Sequence, residues 1–191
     1  MECPYPGLRP FTREESFVFF GREEQTDALL KRLDQFRFLA VVGPSGCGKS
    51  SLVRAGMIPA LETGFIRRAG SRWAFAQMRP GSRPLRRLAG ALVAEAGIRP
   101  ESSDDGEAQA FLTASMSRGP LGLVEVLRET PLPADTNLLI LVDQFEEIFR
   151  FRYEGDADEA DAFVSLMLRS TEQREIPIYV VITMRSDFFG D

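Results

Sequence analysis

Eight consecutive residues, Gly43-Pro44-Ser45-Gly46-Cys47-Gly48-Lys49-Ser50, fit the spacing G-x-x-x-x-G-K-[ST] in full. The residue types explain the chemistry. Glycines let the backbone wrap closely, so that several N–H groups converge on one phosphate, and a helix starting at Lys49 adds its positive N-terminus. Lys49 supplies a compact ammonium to the outer phosphates, and Ser50 offers a hydroxyl to Mg²⁺. Ser51 follows directly and is grouped with the loop. Of the 23 basic residues only Lys31 and Lys49 are lysines, and a lysine kept among so many arginines raises the question whether a compact ammonium is required there.

Leu139-Ile140-Leu141-Val142-Asp143 is an apolar strand ending in a carboxylate. Beside a phosphate loop, an aspartate at the carboxyl end of a neighbouring strand is expected to anchor Mg²⁺. Glu146 and Glu147 follow at once, and a carboxylate just beyond the metal aspartate can polarise an attacking water. The same two residues also fit a solvated first helical turn. Thr183-Met184-Arg185 closes a later apolar run, where an arginine can contact a terminal phosphate bidentately.

The elements that must position these groups are legible from spacing. Phe38 to Val42 and Leu138 to Val142 read as buried strands; Trp73 to Met78 and Ile178 to Thr183 complete four. Gly21 to Phe36 reads as an amphipathic helix with Leu29, Leu30, Leu33 and Phe36 on its apolar side. Helices are also expected from Lys49 to about Ile58, ended or kinked by Pro59, from Pro84 to Ala96, and from Asp156 to Gln173, with helical pieces up to Thr130. Ile98 to Glu107 reads as a surface loop. Strands alternating with helices predict an α/β fold with a parallel sheet covered on both faces. Residues 1–20, with prolines at 4, 6 and 10, read as an extended lead-in, and 21–191 as one nucleotide-binding core.

Composition removes other chemistries. The chain has 191 residues, 44% apolar, and no histidine, which excludes Ser-His-Asp and Cys-His catalysis and every zinc site that needs a His ligand. Two cysteines, Cys3 and Cys47, provide no disulfide framework. No stretch approaches the ~18 uncharged apolar residues of a membrane span. The first residues lack a signal peptide, so the expected location is cytoplasmic, away from membranes. A net charge of −5 disfavours nucleic acid in bulk. Arg67, Arg68, Arg72, Arg79, Arg83, Arg86 and Arg87 form the one arginine-rich stretch, readable either as a DNA-binding surface or as a solvated basic face, with DNA the less favoured.

Taken together, Phe19-Phe20-Gly21-Arg22-Glu23, the phosphate loop, Val142-Asp143-Gln144-Phe145-Glu146-Glu147 and Thr183-Met184-Arg185-Ser186-Asp187-Phe188 resemble the STAND class of P-loop signal-transduction ATPases. The lead-in Pro4-Tyr5-Pro6-Gly7-Leu8-Arg9-Pro10-Phe11 is similar to the first of the bacterial "novel STAND" groups. The resemblance implies ATP and ADP as ligands with Mg²⁺, Gly21 and Arg22 at the adenine and ribose, and a core sheet ordered 5-1-4-3-2. It further implies slow, regulatory hydrolysis, self-association in the ATP state, and effector and sensor domains outside this sequence. The fifth strand, the lid and the winged helix of such proteins are expected to lie beyond Asp191. The missing Asn-Lys-x-Asp motif disfavours a GTPase, since Asn occurs only at Asn137. A P-loop small-molecule kinase and a non-hydrolysing, nucleotide-dependent assembly module remain as alternatives.

Overall fold

The structure, a computed structural model, describes residues 7, 9–66, 69–152 and 157–188, with the side chains of 151 and 152 excepted. Four strands, β1 (Phe38–Gly43), β2 (Trp73–Met78), β3 (Asn137–Val142) and β4 (Ile178–Arg185), form one sheet in the order β1-β4-β3-β2. Every pairing is parallel. This matches the implied 5-1-4-3-2 order over the four strands present, and among the described residues β1 pairs only with β4.

A parallel sheet needs both faces covered, and the strand residues divide accordingly. Leu138, Ile140, Val142, Ile178, Val180 and Ile182 pack on one side with residues of α4 (Pro84–Ala94), α5 (Asp105–Met116), α6 (Gly122–Glu129) and α8 (Ala157–Glu172). Leu39, Val41, Leu139, Leu141, Tyr179 and Val181 pack on the other with α1 (Glu23–Gln35) and the helix after the phosphate loop. The alternation is the two-residue period of a strand buried on both faces.

Local expectations are revised at four places. Phe36 leaves the apolar stripe of α1: it caps the helix in an extended conformation and is exposed, because the helix ends at Gln35. Pro59 neither ends nor sharply breaks the helix after the loop. α2 (Lys49–Ser51) runs into a π-helical stretch, Leu52–Met57, and then into α3 (Ile58–Glu62). Ile58 N–H bonds to Val53 O, so the hydrogen-bond register resets just before Pro59, which falls in the first turn of α3 where a missing N–H costs little. The loop after Ile98 is shorter than predicted, because Asp104 and Glu107 form a reciprocal capping box that starts α5 at Asp105; Ile98 itself is buried. Finally, β4 extends through Arg185, which therefore ends the strand and does not follow it.

The register brings the chemistry to one end of the sheet. Gly43 lies opposite Arg185, Val142 opposite both Ile182 and Met78. The residues after the carboxyl ends of β1, β3 and β2 are thus the phosphate loop, Asp143 and Arg79, side by side above one edge of the sheet.

Candidate nucleotide site

The loop from Gly43 to Gly48 folds as its glycines require. A Cβ on Gly43 would stand 2.9 Å from Cys47 Sγ, so a larger residue there would displace the Cys47 side chain. Gly48 has φ +88°, a left-handed conformation that L side chains rarely adopt, at the position that caps α2. Gly46 is also left-handed. Lys49 turns back over the loop, donating from Nζ to Gly43 O at 2.9 Å and Pro44 O at 2.8 Å. Its ammonium lies 3.9 Å from Cys47 Sγ, and Cys47 is exposed.

Asp143 is the electrostatic centre. It is 1% exposed, and both of its carboxylate oxygens accept hydrogen bonds. Ser50 Oγ and Thr183 Oγ1 each donate to Oδ1 at 2.6 Å. Arg54 donates from an Nη to Oδ2 at 2.6 Å, and Arg79 Nε stands 3.9 Å from the same oxygen. Arg54 was not legible as a site residue by motif, although a signal existed: it is the single charge in the otherwise apolar stretch Leu52 to Leu61.

The two glutamates separate. Glu146 lines a 620 Å³ cleft with Lys49, Ser50, Gln144, Thr183 and Arg185, and its Oε2 accepts from Arg185 N–H at 3.3 Å. Glu147 does not line that cleft; its Oε2 accepts from Gly81 N–H at 3.1 Å in the turn after β2. The turn at Gln144, φ +57°, is tied down by Gln144 N–H to Thr183 Oγ1 and Phe145 N–H to Thr183 O. Arg185 lines the cleft, with its guanidinium in a bidentate pair with Asp187 and near the Phe188 ring. That pairing holds the Asp187 carboxyl below the ordinary aspartate range.

A second cleft, 550 Å³, adjoins the first across Gly46, Gly48 and Ser51. Its apolar wall includes Phe11, Phe19 and Phe20, with the Phe11 and Phe19 rings edge-to-face at 5.5 Å. Arg22 lines it and Gly21 does not; Gly21 N–H donates to Glu23 Oε1 at 3.0 Å. Ser51 Oγ accepts from Phe11 N–H at 3.1 Å, which ties the lead-in to the helix after the loop. Ser45 lines the first cleft, whereas Pro44 lines neither and serves through its carbonyl.

The arginine-rich stretch does not make one face. Arg72 and Arg79 flank opposite ends of β2, and Arg72 donates to Ala134 O. Arg83, Arg86 and Arg87 line a separate depression with Ser82 and Gln109. Arg67 and Arg68 lie outside the described residues.

Ser50 and Asp143 fit Mg²⁺. They are hard oxygen donors 2.6 Å apart, Ser50 in the wall of the cleft and Asp143 buried beside it. Among the described residues no three carboxylates or thiols converge.

A parallel sheet with a phosphate loop between β1 and α2, and a buried aspartate after β3 bonded to the loop serine, defines a P-loop nucleotide-binding domain. The chain belongs to the novel STAND NTPase 1 family, whose sequence model matches residues 4–191. Among solved structures it is similar to the Aeropyrum pernix ORC2 protein in its ADPNP-ADP complexes, with 14% identity, a TM-score of 0.57, and coverage of 87% of this chain and 41% of that one. C. elegans PCH-2 matches at 14% identity and a TM-score of 0.44, over 85% of this chain and 36% of that chain. Drosophila ORC bound to DNA matches at 18% identity and a TM-score of 0.41, over 91% and 37%. The chain thus spans less than half the length of each. No curated protein matches it. Among the described residues no helix is long and apolar enough to cross a membrane.

Cys47 gives this site a direct chemical probe. Its thiol is exposed within the loop, so alkylation is expected to be slowed at least severalfold by saturating Mg-ADP. Equal labelling rates with and without nucleotide, followed by mass spectrometry, would show that the thiol is not covered.

Proposed function

We propose that this domain binds ATP and ADP with Mg²⁺ and hydrolyses ATP slowly, as the nucleotide switch of a bacterial STAND-type signalling protein. The observation that carries the reading is the Ser50–Asp143 hydrogen bond, because it joins the phosphate loop to the acidic strand end. In this reading the backbone of Gly43 to Gly48 cradles the inner phosphates, and Lys49 exchanges its two carbonyl partners for phosphate oxygens. Mg²⁺, held by Ser50 and Asp143, would neutralise charge on the outer phosphates. Glu146 faces the cleft and polarises the attacking water. Arg185 exchanges Asp187 for the terminal phosphate, one anion for another. The base lies in the adjoining cleft against Phe11 and Phe19, near Arg22. Self-association in the ATP state, and effector and sensor domains elsewhere in the protein, belong to the same proposal, as does a cytoplasmic location.

The test is calorimetric titration with ADP and with a non-hydrolysable ATP analogue. Lys49→Ala is expected to lose about 2–4 kcal/mol of binding to both, the scale of a charge-assisted contact with its desolvation. Lys49→Arg is expected to fail as well, because its planar fork is larger than the ammonium the loop encloses. Arg185→Ala is expected to lose about 1.5–3 kcal/mol for the triphosphate and little for ADP. Wild-type affinity in Lys49→Ala would end the reading. A phosphorylated acceptor appearing with ADP would mean a kinase, and absence of phosphate release under single turnover would mean an assembly module.

A further inference from the structure

Four cations line the 620 Å³ cleft: Arg9, Lys49, Arg79 and Arg185. Three of them are held by short bonds. Arg9 forms a bidentate pair with Glu15, Lys49 donates to two loop carbonyls, and Arg185 is paired with Asp187. Arg79 is different. Its side chain is 52% exposed, and its one polar contact among the described residues is Nε at 3.9 Å from Asp143 Oδ2, an oxygen already taken at 2.6 Å by Arg54. A guanidinium with its donors uncommitted, facing a phosphate-loop cleft, is poised for an anionic ligand.

The backbone beneath Arg79 is fixed from both sides. Asp143 N–H donates to Met78 O at 2.9 Å, immediately before it. Two residues after it, Gly81 N–H donates to Glu147 Oε2 at 3.1 Å. The turn carrying Arg79 is therefore braced between the strand end that bears Asp143 and the start of α7 (Glu147–Arg152). In the order β1-β4-β3-β2, Arg79 rises three strands from the phosphate loop, about 14 Å at the usual strand spacing. That sets the Arg79 turn on the side of the cleft farthest from the loop that would enclose the inner phosphates, toward the outer end of a bound polyphosphate.

We infer that Arg79 contacts the terminal phosphate of a bound nucleoside triphosphate, and that Glu147 is a positioning residue that holds the Arg79 turn. This rests on the nucleotide reading above and adds to it a contact that distinguishes triphosphate from diphosphate, since a ligand shifts an equilibrium only by its differential affinity.

The test is a pair of titrations, ADP and a non-hydrolysable ATP analogue with Mg²⁺, on the full chain and its variants, each first checked by thermal melting. Arg79→Ala is expected to weaken the triphosphate about tenfold or more and ADP less than about twofold. Arg79→Lys should recover part of the loss through charge alone. Glu147→Ala should move the triphosphate-to-diphosphate ratio in the same direction by about threefold, and should add nothing to Arg79→Ala in the double variant, as expected of two residues acting through one contact. A merely structural Glu147 would lower both affinities and leave the ratio alone. An unchanged ratio in Arg79→Ala, with wild-type protein binding both nucleotides, overturns this inference and leaves the nucleotide reading standing. A wild-type chain that binds neither overturns both.

Discussion

Replacing Arg54 by Met is expected to lower folding stability by about 3–5 kcal/mol, the cost of leaving a buried charge without its partner. Asp143 is 1% exposed, and among the described residues Arg54 is its one close cation, 2.6 Å from Oδ2 and 18% exposed. With Arg54 gone, Oδ1 keeps the Ser50 and Thr183 hydroxyls, but Oδ2 retains only the distant Arg79. Methionine keeps most of the aliphatic volume, so packing loss is small and the effect isolates the charge. Removing both charges, with Arg54→Met and Asp143→Asn together, should cost less than Arg54→Met alone, because no uncompensated ion is then buried. Urea unfolding of the single and double variants measures this. A loss below about 1 kcal/mol in Arg54→Met would mean that Arg79 swings inward to replace it.

Glu146→Gln is expected to lower ATP turnover by about 10²–10⁴-fold, the range for removing a positioned general base, while nucleotide affinity stays within a few fold. Glutamine keeps the size and the acceptor for Arg185 N–H, so the site should remain assembled. Glu147→Gln is expected to lower turnover under about tenfold. Its carboxylate is directed at Gly81 N–H, and a glutamine carbonyl can accept the same bond. Single-turnover phosphate release from the two variants separates the roles; equal losses would place the reacting water nearer Glu147 than the geometry does.

The comparison of those two glutamates shows where sequence reasoning stops. Glu146 lies in the turn and Glu147 opens α7, and which of them meets the cleft depends on how Gln144 turns, with φ +57° and its N–H on Thr183, 39 residues away. Spacing alone left both glutamates open as carboxylates for the water.

The sheet, by contrast, was legible almost strand by strand. Runs such as Leu138 to Val142 are apolar on both faces, which is what a central parallel strand requires, and the phosphate loop follows from local backbone chemistry in eight residues. Signals of that kind are short-range: a period, a cap, or a glycine where φ must be positive. Phe36 and the π-helical turn before Pro59 departed from expectation because helix ends and hydrogen-bond registers answer to packing as well as to propensity.

The sequence by itself determined the parallel α/β class, the phosphate loop with Lys49 and Ser50, and the candidacy of Asp143. Tertiary structure alone decided what surrounds Asp143. Arg54 lies 89 residues from it in sequence and Thr183 lies 40. Such pairs carry no spacing rule, since they meet only after the strands have stacked in the order β1-β4-β3-β2 and the buried Asp143 carboxylate must be met by donors.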